Sequence, residues 1–247
     1  MLVVLNLNVL WGRNAKVFVL LILNVICTFA LVSVFRFKQF AVCQDHAAMK
    51  VGTDGCLLGA LARGGKRILD IGTGTGLLAL MMAQRFDEAN VTAVEIDNQA
   101  VCDARINFGA SPWNGRIELV QTSFQNFCEQ RAGKSFFDSI VCNPPYFNRS
   151  LECEDLGRKR ARHTSSLSYG DLVCGARKML TSDGAFSVIL PAESETEFVV
   201  ACKSNGFHLQ TKYDIRTVSR KPVKRVVMSF VLHEAKQLTV NSVYVRN

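Results

Sequence analysis

The chain has 247 residues, 49% of them hydrophobic and 20% charged, with 29 Lys and Arg against 21 Asp and Glu for a net charge of +8. That length and composition suit one large α/β domain or two small ones with a sizeable core, and they exclude a disordered or low-complexity chain. Nine scattered cysteines with no CxxC spacing and four histidines with no HExxH pattern exclude a disulfide framework and leave no candidate metal site, as in a cytosolic protein with reduced thiols.

The first segment is an uncharged apolar run, VFVLLILNVICTFALVSVF (Val17–Phe35), long enough to span a bilayer. Arg13 and Lys16 precede it and Arg36 and Lys38 follow, so flanking charge sets no orientation, and no small-residue cleavage site ends it. A membrane anchor, a buried extra helix and an extension outside the working domain all fit. We take residues 1–34 as an extension, 35–235 as one domain and 236–247 as a tail, with membrane contact only if the first segment is a genuine anchor.

From Gly65 onward strands and helices alternate. RILDIG (Arg67–Gly72) reads as a strand, Leu77–Phe86 as a helix, Asn90–Asp97 as a β-branched strand, and Asn98–Phe108 as a helix capped by Asn98. Strands follow at Arg116–Thr122 and Phe137–Asn143, then helix Leu172–Leu180, strand Ala185–Leu190 and helix Glu193–Ser204. Two late strands lie around His208–Val218 and Arg225–His233. The alternation predicts an α/β fold: a doubly wound, mostly parallel sheet with helices on both faces. With no helix between them, the last two strands should pair as a hairpin and set one strand antiparallel.

Ligands in such sheets sit beyond the carboxyl ends of the strands, near the switch point. The first motif there is LDIGTGTGLLAL (Leu69–Leu80), with Gly72, Gly74 and Gly76 at alternate positions between strand and helix. Glycines let the chain turn tightly and bring backbone N–H groups close to a ligand. The spacing is GxGxG, a poor fit to the GxGxxG dinucleotide fingerprint. Glu95 ends the next strand, where a carboxylate can accept from both ribose hydroxyls of an adenosine.

The second motif is NPPY (Asn143–Tyr146), which follows an apolar strand. Two prolines end the ladder and stiffen the loop. The Asn143 side-chain oxygen and the Pro144 carbonyl can accept the two hydrogens of a planar amine and aim its lone pair, while Tyr146 offers a face for a base to stack on. Two basic runs then supply electrostatics for a polyanion: RKRARH, with Arg158, Lys159, Arg160 and Arg162, and SRKPVKR, with Arg220, Lys221, Lys224 and Arg225.

DIGTGTG with Glu95 resembles the first two motifs of the class I S-adenosylmethionine-dependent methyltransferases. The resemblance implies a Rossmann-like seven-stranded sheet with a reversed last strand. It implies cofactor contacts from Asp70, Gly72, Gly74 and Gly76, with the glycine loop against the methionine portion and Glu95 on the ribose. Where that family usually carries an acid near the adenine, this chain has Thr122 and Ser123, and Ser123 is the candidate there. NPPY resembles the motif of methyltransferases acting on amide or ring-amine nitrogens, with Asn143 near the cofactor as well as the amine.

FRFKQF (Phe35–Phe40) and MKVGTDGCLLGAL (Met49–Leu61) resemble the start of the bacterial family that methylates N6 of adenine 37 in valine tRNA. There the KVGTD segment packs over the cofactor, which makes Lys50, Thr53 and Asp54 candidate contacts. The implied function is methyl transfer from S-adenosylmethionine to an unpaired anticodon-loop adenine, which costs little to extrude. The implied setting is the cytoplasm, with tRNA as partner and no metal or obligate protein partner. A glutamine-amide methyltransferase of release factors, another rRNA or DNA amino-methyltransferase, and a non-catalytic RNA-binding scaffold are the alternatives. The first of these would not need the arginines and typically carries a helical domain before the glycine loop.

Overall fold

The strands at the centre of the sheet are apolar on both faces, and the folded chain covers both. The computed structural model describes residues 33–131, 136–144, 167–234 and 237–245. The apolar run before residue 33, Tyr146 and the basic run Arg158–His163 lie outside the described residues. Among the described residues no helix is long and apolar enough to cross a membrane.

A short antiparallel hairpin comes first: β1 (Val34–Arg36) pairs with β2 (Ala41–Cys43). Helix α1 (Thr53–Leu61) follows. Then come β3 (Arg67–Ile71), α2 (Leu77–Arg85), β4 (Asn90–Glu95), α3 (Asn98–Gly109), β5 (Ile117–Gln121), α4 (Phe124–Gln130) and β6 (Phe137–Cys142). The remainder is α5 (Tyr169–Met179), β7 (Leu180–Pro191), α6 (Glu195–Ser204), β8 (His208–Arg216), β9 (Arg225–Val231) and β10 (Thr239–Tyr244).

The sheet runs in the order β10-β8-β9-β7-β6-β3-β4-β5. β9 is antiparallel to both neighbours, and every other neighbouring pair is parallel. The reversed hairpin strand predicted from sequence is therefore β9. The sheet has eight strands rather than seven: TVNSVY, in the segment read as a tail, is half β-branched and pairs with the free edge of β8.

Alternate strand residues sort into two layers. Leu69, Ile71, Ile140, Val188 and Met228 pack with Phe127 of α4, Leu172 of α5 and Phe198 of α6. Ile68, Val91, Val141, Ile189 and Val227 pack with Leu58 of α1, Leu80 of α2 and Ala104 of α3, and the β1–β2 hairpin joins this layer through Phe40 and Val42. Burial of both faces explains why these strands read as continuous apolar runs. The cap of α3 is Asp97, not Asn98: its backbone is extended and Oδ1 accepts from Ala100 N at 2.8 Å.

Candidate active site

β3 is flanked by β4 on one side and β6 on the other, so the chain reverses its direction of travel across the sheet at β3. The crevice expected at such a point opens beyond the carboxyl ends of β3 and β6. The glycine loop leaves β3 there, pinned to β4 by hydrogen bonds from Gly72 N and Thr73 N to Val94 O at 2.9 and 3.1 Å. Gly72, Gly74 and Gly76 have φ of 69°, 57° and 86°. At Gly74 a Cβ would meet nothing within 4 Å, so the loop presents open backbone to the crevice. At Gly76, which caps α2, a Cβ would lie 2.4 Å from the Phe108 ring.

Two carboxylates brace this loop. Asp70 is fully buried beneath it, and Oδ2 accepts from Thr73 Oγ1 at 2.6 Å and Ala79 N at 3.1 Å. Burial raises its pKa to about 7, against the lowering by those two hydrogen bonds and with a further push from Glu95. These hydrogen bonds of Asp70 are thus to the loop and α2 rather than to the crevice wall. Glu95, also buried, accepts from Gly74 N at 2.8 Å through Oε2, and from Ile96 N and Asp97 N at 2.8 and 2.9 Å through Oε1. Those bonds aim the carboxylate: Oε1 already accepts two, and Oε2, which accepts one, retains a second lone pair.

The opposite wall is the KVGTD segment. Lys50, Thr53 and Asp54 line the same cleft as Gly72, Gly74 and Asn143, a cavity of about 320 Å³. Gln44 shapes this wall: its backbone oxygen accepts from Lys50 Nζ, and its Oε1 accepts from Val51 N at 2.7 Å. Asp54 Oδ2 accepts from Arg225 Nε at 2.8 Å. Asn143 follows β6, with its Nδ2 3.9 Å from Met49 Sδ, and Pro144 behind it is buried. The neighbouring Cys142 is buried too, and desolvation, then Asp70 and Glu95, push its thiol well above the ordinary value.

Ser123 sits after β5 as the N-cap of α4, where its Oγ accepts from Asn126 N at 3.2 Å. It is not among the residues lining the cleft. Arg220, Lys221 and Lys224 are exposed in the loop from β8 to β9, at the carboxyl edge of the sheet, whereas Arg225 is engaged by Asp54. Sequence reasoning missed Gln44 and a buried polar pair on α3, Asp103 and Asn107. The only signal for the pair was its spacing of one helical turn on a face otherwise apolar.

The profile of the methyltransferase small domain matches residues 46–210. Among curated proteins, the tRNA1(Val) (adenine(37)-N6)-methyltransferase of Phocaeicola vulgatus is 48% identical over 198 residues, 79% of this chain and 82% of that one. The enzyme of the same name from Klebsiella pneumoniae (strain 342) is 41% identical over 199 residues, 79% of this chain and 80% of its own. Among solved structures, a predicted O-methyltransferase, protein Atu636 from Agrobacterium tumefaciens, superposes with a TM-score of 0.61 at 22% identity, covering 78% of this chain and 87% of that one. P. horikoshii TYW2 in complex with MeSAdo superposes at 0.56 with 16% identity, covering 81% and 70%. These two likenesses are of fold.

Proposed function

The chain belongs to the methyltransferase small domain family, alongside the tRNA1(Val) (adenine(37)-N6)-methyltransferases, and from that premise we propose that it methylates the N6 amine of adenine 37 in a valine tRNA. The observation that carries the site reading is convergence: the glycine loop, the KVGTD wall and Asn143 border one cleft at the switch point of the sheet. Open space over Gly72 and Gly74 and the carboxylate of Glu95 fit S-adenosylmethionine, whose methionine end needs close backbone and whose ribose needs an acceptor. When bound, that cofactor supplies an electrophilic methyl group on a sulfonium.

What the chain's own residues contribute is positioning. In this reading Asn143 and Pro144 accept the two amine hydrogens and turn the lone pair of N6 toward the cleft, and Tyr146 stacks on the base. No general base is required, because N6 becomes acidic as it gains the methyl group and its proton passes to water. Arg220, Lys221 and Lys224 meet tRNA phosphates from the rim, joined by Arg158, Lys159, Arg160 and Arg162. A tRNA substrate puts this work in the cytoplasm, with residues 1–34 outside the catalytic unit.

The test is mass spectrometry of tRNA nucleosides from cells with and without the gene, and of unmodified valine tRNA treated with the full-length protein and S-adenosylmethionine. N6-methyladenosine should vanish from the first and appear in the second. Unchanged N6-methyladenosine together with unmethylated release-factor glutamine would assign the chain to amide methylation instead.

A further inference from the structure

Asn107, on α3, is 2% exposed and is not among the residues lining the cleft. Its side-chain amide nevertheless makes three hydrogen bonds to backbone. Oδ1 accepts from Cys43 N at 2.7 Å, while Nδ2 donates to Cys43 O and to Thr75 O, each at 2.8 Å. One turn earlier Asp103, 1% exposed, accepts through Oδ2 from His46 N and Ala47 N at 3.0 and 2.8 Å. Its Oδ1 is hydrogen-bonded to His46 Nδ1 at 2.8 Å. Positions i and i+4 share a helix face, so α3 turns one buried polar stripe toward residues 43–47.

The consequence lies in what those contacts join. Residues 43–47 lead directly into Met49–Gly55, one wall of the cleft, and Thr75 belongs to the glycine loop, the other wall. One amide therefore holds the root of the first wall and the backbone of the second. Asparagine suits the place because it accepts one bond and donates two from a short, planar group. Aspartate cannot donate, and a buried carbonyl left unpaired is costly.

We infer that Asn107 is a positioning residue for cofactor binding, setting the separation of the two walls, with Asp103 anchoring the root of the KVGTD wall. This rests on the reading of the cleft as the S-adenosylmethionine site. Asn107→Asp keeps the shape and the bond from Cys43 N, but it turns a double donor into an acceptor facing two carbonyl oxygens. Loss of two bonds should raise the KM for S-adenosylmethionine about tenfold or more. The kcat at saturating cofactor and the KM for anticodon stem-loop RNA should each stay within about threefold, since the side-chain hydrogen bonds of Asn107 go to Cys43 and Thr75.

Calorimetry on the full chain separates the outcomes. Wild type without affinity for S-adenosylmethionine overturns the cofactor reading itself. Wild type that binds, with Asn107→Asp within about twofold of it, overturns the positioning role alone. A fall in kcat with a parallel rise in both KM values marks general loosening and also overturns it. Should Asn107→Asp not fold, hydrogen exchange on the wild type decides. Added S-adenosylmethionine should slow exchange at the amides of Cys43, His46 and Ala47 as well as at Gly72–Gly76. Protection confined to the glycine loop overturns the inference.

Discussion

Arg225, the first residue of β9, donates from Nε to Asp54 Oδ2 at 2.8 Å, across 171 positions of sequence. The pair links the loop at the rim to α1, whose first turn lines the cleft. Partial exposure of both groups limits its contribution to about 1 kcal/mol or less. Its placement gives it a kinetic signature. Arg225→Ala should raise the KM for S-adenosylmethionine several-fold and leave the salt dependence of RNA binding unchanged. A reduced salt slope, read by filter binding from 50 to 200 mM salt, would return Arg225 to the RNA-contacting set.

Lys221→Ala should behave in the opposite way. An exposed lysine that meets a phosphate releases a counterion, so its loss weakens binding of all RNA sequences alike and lowers the salt slope by about one. Arg220→Ala and Lys224→Ala should each do the same, measured on the same anticodon stem-loop. Weakened affinity with an unchanged slope would mean that this loop does not face the phosphates.

Asn143→Ala removes the amide proposed to accept an amine hydrogen. Misorientation of a reacting group costs about 10²-fold in rate, and single-turnover methylation should fall by that much or more. The dissociation constant for S-adenosylmethionine should rise no more than about threefold, because the glycine loop and Glu95 are untouched. A rate within a few-fold of wild type would remove Asn143 from its role.

Asp70 makes stability depend on pH. Its carboxyl titrates at about 7 in the folded chain against 3.8 ordinarily, so between those values the folded state holds a proton that the unfolded state has released. The unfolded state then binds fewer protons, and stability falls as pH rises from about 4 to 7. Calorimetric unfolding at pH 5, 6, 7 and 8 should show a steeper fall in Tm for wild type than for Asp70→Asn, with parallel lines above about pH 8. Equal slopes across the whole range would mean that Asp70 is already ionised at pH 5.

Gly74→Ala tests the cradle. At φ of 57° an alanine is strained by about 1–2 kcal/mol, lowering Tm by a few degrees in a domain of this size. The added methyl projects into open space above the loop, so cofactor affinity should fall by more than the strain accounts for. A lower Tm with unchanged affinity would place the cofactor elsewhere.

The sheet and its reversed strand were legible because each rests on a local signal, alternation for the one and a missing crossover helix for the other, whereas the placement of KVGTD came from the family resemblance alone. Other parts were hidden for physical reasons. Strands of three residues, as in β1 and β2, are too short to show a period. Helix α1 carries Gly55 and Gly59, which argue against a helix. A Cβ at Gly59 would lie 2.6 Å from Met81 Sδ, so the glycine serves close packing of α1 on α2. Ser123 looked like an adenine contact, yet the N–H groups at the start of α4 compete for the same hydroxyl. Arg225 sits in a basic run, and only the fold reveals Asp54 beside it.

Because β9 runs against its neighbours, the turn that enters it emerges on the rim where the parallel strands end. Unlike a crossover helix, this turn is exposed from Arg220 to Pro222, with Val223 packed on the core, so the exposed positions can change charge without shifting any strand register. On the roles proposed above, chemistry and choice of nucleic acid are carried by separate parts of the chain: the first by glycines and an asparagine at strand ends, the second by a turn beside them.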